Sequence, residues 1–423
     1  MNKDSYRVAM LSVHTCPLAV LGGKEAGGMN VYVRELSREL GRRGIMVDVF
    51  TRTQSLITPL THTLSDNARI IHLPAGPLKP YNKNKIYDHL PEFVRNIQNF
   101  QRSEGLQYDV IHSHYWLSGY AGLVLSEKWR VPVVQMFHTL ALLKNATARN
   151  ESELEPDIRT ERETLLMDKV DRIVAATAAE KASLSWQYGA EADKIDIIPC
   201  GVDLKLFKPR HKADARTQLG LTARNILLLV GRIEPIKGVD VLIGAIRQLV
   251  EKGERDTQVI VVGGGNKAGQ DDNPEAIRLQ TMVRELGLDD YVKFLPSQPQ
   301  NLMPFYYSAA DITIMSSYYE SFGMAALESQ ACGTPVIASR AGGLPYTVKD
   351  GYSGLLVPPG DEAELANAIR QLLDDTQYRN KLGHQAILHA EQFSWRAIAD
   401  RVLETYQDLT GVIAESRVSI MSK

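Results

Sequence analysis

Tyr318-Tyr319-Glu320-Ser321-Phe322-Gly323-Met324-Ala325-Ala326-Leu327-Glu328, continued by Ser329-Gln330-Ala331-Cys332-Gly333-Thr334-Pro335-Val336, decides how this chain is read. The stretch follows a strand-like run from Asp311 to Met315, and its apolar residues Phe322, Ala325, Ala326 and Leu327 read as a helix. Gly333-Thr334-Pro335 stops that helix and opens a new strand at Val336. Glu320 then falls in the loop at the carboxyl end of a strand, where open parallel sheets bind ligands. Glu328 falls inside the helix, beyond the reach of a cap. An ionised carboxylate accepts hydrogen bonds at two oxygens, so a pair placed this way suits hydroxyl groups.

The same alternation extends in both directions. Upstream, Arg7–His14, Val47–Thr51, Ala68–Leu73, Val110–His112, Val133–Phe137 and Arg172–Ala176 read as strands. Helices are predicted over Met29–Arg43, Tyr87–Arg102, Leu117–Lys128 and Glu153–Lys169. The pattern restarts after a linker near residues 200–210. Strands then fall at Ile226–Val230, Val259–Val262, Val292–Phe294, Ile312–Met315, Val336–Ala338 and Gly354–Val357, with helices such as Val239–Glu251 and Ile277–Leu286 between them. This is a doubly wound α/β pattern written twice. Two domains are expected, 1–200 and 201–394; periodicity does not say whether the terminal helix, about 395–423, returns to the first.

Bulk composition agrees. At 423 residues the chain exceeds one ordinary core. It is 44% apolar and 23% charged, and 48 basic residues nearly cancel 50 acidic ones, so no global field draws nucleic acid or anionic lipid. Cys16, Cys200 and Cys332 are unclustered, which fits a reducing cytosol and no metal site. No stretch approaches the roughly 18 to 20 apolar residues of a spanning helix. A cytoplasmic protein without a transmembrane segment is expected.

Three loops suit phosphate. Leu21-Gly-Gly-Lys-Glu-Ala-Gly-Gly28 opens the first long helix, whose amino terminus presents free N–H groups. Gly231-Arg-Ile-Glu-Pro-Ile-Lys-Gly238 ends a strand and offers Arg232 and Lys237 to a diphosphate. Gly263-x-Gly265-x-x-Ala268 matches a permissive dinucleotide pattern, but loop-like residues follow where a helix is required. His112 and His114 share a strand face without an obvious third metal ligand. His138 and Thr139 end another strand and point to the ligand end of the sheet.

Together these segments resemble the retaining glycosyltransferases of the GT-B fold, in which two Rossmann-like domains face a deep crevice. The resemblance runs from residue 7 to about residue 410. It is carried by the Gly-Arg-x-x-Pro-x-Lys-Gly loop at 231–238, the Glu320/Glu328 pair and Gly342-Gly-Leu-Pro345 in that order. Val13-His-Thr-Cys-Pro-Leu18, Gly27-Gly-Met-Asn-Val-Tyr-Val33, Asp48-Val-Phe-Thr-Arg52, His112-Ser-His-Tyr-Trp-Leu-Ser-Gly119, and His138-Thr-Leu with Lys144-Asn145 look most like the inositol-phosphate branch of that family; sucrose-phosphate synthase is the alternative.

The resemblance implies a UDP-sugar donor, a hexose such as glucose or N-acetylglucosamine, a phosphorylated acceptor, and no required cofactor or metal. It implies that Arg232 and Lys237 hold the donor diphosphate with Gly28, that Glu328 binds the ribose, and that Glu320 meets the sugar hydroxyls. Gly263, Phe322 and Gly323 complete the donor site, and His138 lies beside the reacting sugar. Asn30, Tyr115, Thr139, Arg159 and one of Lys83 and Lys85 would face the acceptor. Two departures stand out: the second Arg of the family's acceptor-helix pair is Thr160 here, and extra residues 78–85 leave the lysine unassigned. A homodimer is left open. The other readings are a phosphorylase carrying pyridoxal phosphate and a nucleotide-sugar-binding scaffold without turnover.

Overall fold

A computed structural model of the chain describes residues 6–19, 27–55, 57–79, 81–148, 150–263 and 273–412. Most of the first glycine loop (21–26), the Gly265 and Ala268 positions and the end of the expected terminal helix (413–423) lie outside the described residues. The chain divides into two compact units. Unit 1 draws on Met1–Ala19, Gly28–Pro199 and Trp395–Lys423, and unit 2 on Val20–Gly27 and Cys200–Ser394.

Unit 1 is built on an eight-stranded sheet: β1 (Arg7–Leu11), β2 (Met46–Arg52), β3 (Thr61–Ser65), β4 (Ala68–Leu73), β5 (Val110–His114), β6 (Val133–Met136), β7 (Arg172–Ala175) and β8 (Ile195–Ile197). Their order is β3-β4-β2-β1-β5-β6-β7-β8, and only the β3–β4 pair is antiparallel. The strand order reverses between β1 and β5, which makes the loops after those strands the natural ligand site. The helix Gly28–Arg42 buries Val33, Leu36 and Leu40, spaced three and four residues apart on one face, while Met29 on that face is only half-buried.

The helix Trp395–Thr410 packs within unit 1. Its Tyr406 hydroxyl lies 2.7 Å from His112 Nδ1, Thr405 Oγ1 donates to Asp196 at 2.8 Å, and Asp400 pairs with Arg43.

Unit 2 holds a six-stranded, fully parallel sheet: β9 (Asn225–Val230), β10 (Thr257–Val262), β11 (Val292–Leu295), β12 (Ile312–Met315), β13 (Val336–Ser339) and β14 (Gly354–Val357), in the order β11-β10-β9-β12-β13-β14. Here the order reverses between β9 and β12, so the Arg232 and Glu320 loops flank the switch point. The strands are near-continuous apolar runs, as sheets covered on both faces require.

Three sequence expectations are corrected. Tyr87–Arg102 is a 3₁₀ turn over Lys83–His89 followed by an α-helix over Leu90–Ser103, with Pro91 in its first turn. The helix expected from Glu153 starts at Asp157, because Pro156 takes the N-cap and holds the residue before it extended. Phe322 precedes its helix, which runs Met324–Ala331 from a Gly323 cap at φ 91°.

Candidate active site

In unit 2 the loop after β9 is fastened to the loop after β12. Ser316 Oγ donates to the Gly238 carbonyl at 2.7 Å, and Tyr318 N–H donates to the Ile236 carbonyl at 2.8 Å. This lacing brings Lys237 Nζ onto Glu320 Oε2 in an ion pair. Arg232 Nη1 lies 2.9 Å from Glu234 Oε1. Lys237 and Glu320 thus meet where the loops after β9 and β12 join, and Arg232 lies in the first of those loops. All three stay partly exposed: Arg232 at 36%, Lys237 at 20% and Glu320 at 18%.

Glycine backbone makes that gathering possible. Gly343 N–H donates to the Glu320 carbonyl at 2.7 Å, and a Cβ on Gly343 would run into the Ser321 carbonyl. Gly263, at φ 132°, likewise lies so close to the Gly231 carbonyl that no side chain fits between them. Glu328 accepts a 2.8 Å hydrogen bond from the hydroxyl of the fully buried Tyr307. Burial, with Glu328 beside it, pushes that phenol well above its usual range, so it stays a donor. The Phe322 ring is buried against Tyr346 and Phe393.

In unit 1 the loops after β5 and β6 carry Tyr115 (φ 74°) and His138 (φ 61°), two of the three non-glycine residues at positive φ among the described residues. Tyr115 N–H donates to the Met136 carbonyl at 2.9 Å, which ties the two loops together. Arg159 lies under them, fully buried, with its guanidinium 4.8 Å from the Tyr115 ring centre. Its Nη2 donates to the Thr139 carbonyl at 2.7 Å and to Thr139 Oγ1 at 3.0 Å, and its Nε donates to Glu163 Oε1 at 2.7 Å. Glu163 also accepts from Ala141 N–H and the Tyr188 hydroxyl, so both carboxylate oxygens are engaged.

Tyr115, Thr139 and Arg159, predicted together, are therefore in contact. Lys83 joins them through Glu155, whose Oε1 it meets at 3.2 Å, while Lys85 is exposed. Lys144 and Glu155 complete the cluster: Lys144 Nζ pairs with the same oxygen, and Arg159 Nη1 lies 3.1 Å from it. Sequence reasoning assigned neither a role. Lys144 stood among the family-like residues, whereas Glu155 left only the Glu-Pro signal of a helix start. Arg162, one turn along the same helix, is held differently, with its guanidinium 5.6 Å and 5.3 Å from the Tyr87 and Tyr120 ring centres.

Asn30 donates to Thr15 Oγ1 at 2.8 Å and to the Cys16 carbonyl at 2.7 Å, fixing the loop after β1. Gly28 is the first residue of the helix beside it. His114 Nδ1 and His138 Nε2 are 3.0 Å apart, so one ring donates and the other accepts. Burial pushes His112 and His138 down to about 3 and His114 well below its ordinary range. All three are neutral imidazoles at neutral pH. Among the described residues no group of three or more His, Cys, Asp or Glu side chains is placed to hold a metal ion, and no helix is long and apolar enough to cross a membrane.

Comparisons with known proteins bear on the family and the fold. Residues 212–389 match the model for glycosyl transferases group 1, and residues 26–206 match that for glycosyltransferase family 4. The chain is 42% identical to the D-inositol 3-phosphate glycosyltransferase of Acidothermus cellulolyticus over 98% of its own length and 92% of the relative's. It is 40% identical to the enzyme of that name from Nocardiopsis dassonvillei, over 96% of this chain and 95% of that one. Among solved structures, sucrose-phosphate synthase from Thermosynechococcus elongatus matches with a TM-score of 0.88 and 36% identity, covering 96% of this chain and 99% of that one. An Anabaena protein solved with UDP and glucose shares the fold at a TM-score of 0.74 and 22% identity, over 96% and 100% of the two chains. Two parallel-sheet α/β units with ligand loops at both switch points, and relatives this similar over nearly the whole length, place the chain in the group 1 glycosyl transferases of family 4, with the GT-B fold.

Proposed function

We propose that the protein transfers a hexose from a UDP-sugar to a phosphorylated acceptor, with retention at the anomeric carbon, unit 2 binding the donor and unit 1 the acceptor. The observation that carries the acceptor class is the cluster of Arg159, Lys83 and Lys144 beside Tyr115 and Thr139. Cations converging on one buried point suit an anionic group far better than a neutral polyol.

On the donor side, Arg232 and Lys237 meet the diphosphate, whose charge grows as the glycosidic bond breaks. Glu328 accepts from the ribose and Glu320 from the sugar hydroxyls. His138, neutral because it is buried, acts as a hydrogen-bonding group beside the sugar and not as a charge. The acceptor hydroxyl attacks from the face the diphosphate leaves, and its proton passes to the departing phosphate oxygen. The free thiols Cys16, Cys200 and Cys332 fit work in a reducing cytoplasm.

The relatives' name makes inositol phosphate the first acceptor to try. The sucrose-phosphate synthase likeness, at 36% identity and a TM-score of 0.88, favours fructose 6-phosphate as the second. UDP release is measured from UDP-glucose and UDP-N-acetylglucosamine with each acceptor and its dephosphorylated form. A preference of about tenfold or more for the phosphorylated form is expected per lost charged hydrogen bond. Equal use of both forms would remove the acceptor assignment. The anomeric configuration of the product, read by NMR, tests retention.

A further inference from the structure

Two carboxylates flank Arg159, and they are treated very differently. Glu163 accepts three hydrogen bonds, shared between both of its oxygens. Glu155 directs a single oxygen, Oε1, at Lys83, Lys144 and Arg159, while its Oε2 is buried with no hydrogen-bond partner among the described residues. Arg159 Nη1, although 3.1 Å from Oε1, makes no hydrogen bond among the described residues either. Buried polar atoms in a purely structural ion pair are normally satisfied, because an unmade hydrogen bond there is costly. The cations thus hold an anion that fits them incompletely.

The rest of the site is built for something larger. Lys83 and Lys144 are 29% and 30% exposed, so the cluster can be approached from their side, whereas Arg159 closes it from beneath. Thr139 and Tyr115 line the same point. The Glu155 backbone is fixed separately, its N–H donating to Asn145 Oδ1 at 2.8 Å, so the carboxylate can turn away without moving the chain. Burial would raise the Glu155 carboxyl, but Arg159, Lys83 and Lys144 outweigh it and hold the group down to about 2. At neutral pH the three cations are engaged by a full negative charge.

We infer that Glu155 is an internal competitor for the acceptor's phosphate: its carboxylate engages Lys83, Lys144 and Arg159 until a phosphate displaces it, and so admits only acceptors more strongly anionic than a carboxylate. A phosphate monoester carries about −1.5 to −2 charges at neutral pH and three acceptor oxygens, enough to satisfy the donors that Glu155 leaves unmatched. A carboxylate or a neutral polyol gains nothing by the exchange. The inference rests on the acceptor assignment proposed above and sharpens it to dianionic phosphate monoesters.

Glu155→Gln and Glu155→Asp test it in the full-length protein. The readouts are KM for the preferred phosphorylated acceptor and the inhibition constant of inorganic phosphate competing with that acceptor. Glu155→Gln keeps the shape and removes the charge; both constants should fall by about tenfold, the weight of one charge-assisted contact. Glu155→Asp keeps the charge and should not tighten phosphate. UDP binding and tryptophan emission on the same preparations report folding. A rise of both constants in Glu155→Gln would make Glu155 a positioning group for the lysines and overturn the competition. Tightening in both variants would trace the effect to side-chain size and overturn it equally. Should the parent protein show no preference for phosphorylated acceptors, the acceptor assignment itself falls; a preserved preference with no Glu155→Gln effect removes the competition alone.

Discussion

The charged side chains of the two units are housed in opposite ways. In unit 1 Arg159 and Glu163 are both 0% exposed, and the loops above them bend through positive φ at Tyr115 and His138. In unit 2 Arg232, Lys237 and Glu320 stay partly in solvent, held by loops whose close approaches depend on glycine. The first arrangement makes the proposed acceptor site part of the core, so its charges are expected to matter for folding. The second keeps its charges outside the core, where they can respond to a ligand without holding the sheet together. The two kinds of site should therefore fail differently when a cation is removed, and all four tryptophans, 116, 129, 186 and 395, belong to unit 1, so their emission reports that unit alone.

Arg159→Ala should give the largest effect. It leaves Glu163 buried without its cation, a loss that typically costs about 3–5 kcal/mol. The urea midpoint followed by tryptophan emission should fall markedly, together with activity. Should the midpoint hold while activity is lost, Arg159 is a ligand-binding group only and the contrast between the units disappears.

Lys237→Ala, or Arg232→Ala, should do the reverse. Turnover at saturating UDP-sugar is expected to drop by about 10²–10³, the usual cost of one group that meets growing transition-state charge. The tryptophan-reported midpoint should stay where it is. Wild-type-like turnover in either variant would sink the leaving-group role.

The same difference explains what the sequence could and could not disclose. The unit 2 groups lie in short contiguous loops at strand ends, and glycine and proline punctuate those loops, so Arg232, Lys237 and Glu320 were readable along the string. The unit 1 cluster is assembled from Lys83, Tyr115, Thr139, Lys144, Glu155 and Arg159, on separate segments that only the fold gathers. Lys83 and Lys85 were indistinguishable until the fold paired Lys83 with Glu155 and left Lys85 exposed. His112 was legible as a strand-end residue, but its partner Tyr406 lies 294 positions later, beyond any periodicity argument. Strand β3, Thr61-His-Thr-Leu-Ser65, was missed because an exposed edge strand carries no apolar alternation.

Acidification separates the units next. A histidine whose pKa is depressed in the folded state stabilises it above the unfolded value of 6.5, and that stability is lost as pH falls below it. His112, His114 and His138 all lie in unit 1, each lowered by burial. Glu180, also in unit 1, runs against them: burial raises it to about 7, so its contribution is present below about 4.5 and fades as pH rises through 7. Each histidine supplies at most about 1.4 kcal/mol per pH unit. With these three and His72, also lowered by burial in unit 1, against one carboxyl, the tryptophan-reported midpoint should fall steadily from pH 6.5 towards 5. A flat profile over that range would mean that the three rings are not held neutral in the core.

The smallest expected effect comes from a part-buried contact of unit 2. Glu328 accepts from the neutral hydroxyl of Tyr307, whereas Glu155 in unit 1 is surrounded by three cations. A neutral donor aims a carboxylate without offsetting its charge, which suits the proposed grip on a ribose. Tyr307→Phe removes that donor and little else. One hydrogen bond to a charged group is worth about 1.5–3 kcal/mol, so the donor KM should rise by about tenfold or somewhat more. Turnover should change far less, because ribose is remote from the anomeric carbon and contacts there serve ground state and transition state alike. An unchanged donor KM would show that Tyr307 does not aim Glu328. A fall in turnover at constant KM would move Glu328 from the ribose towards the reacting sugar.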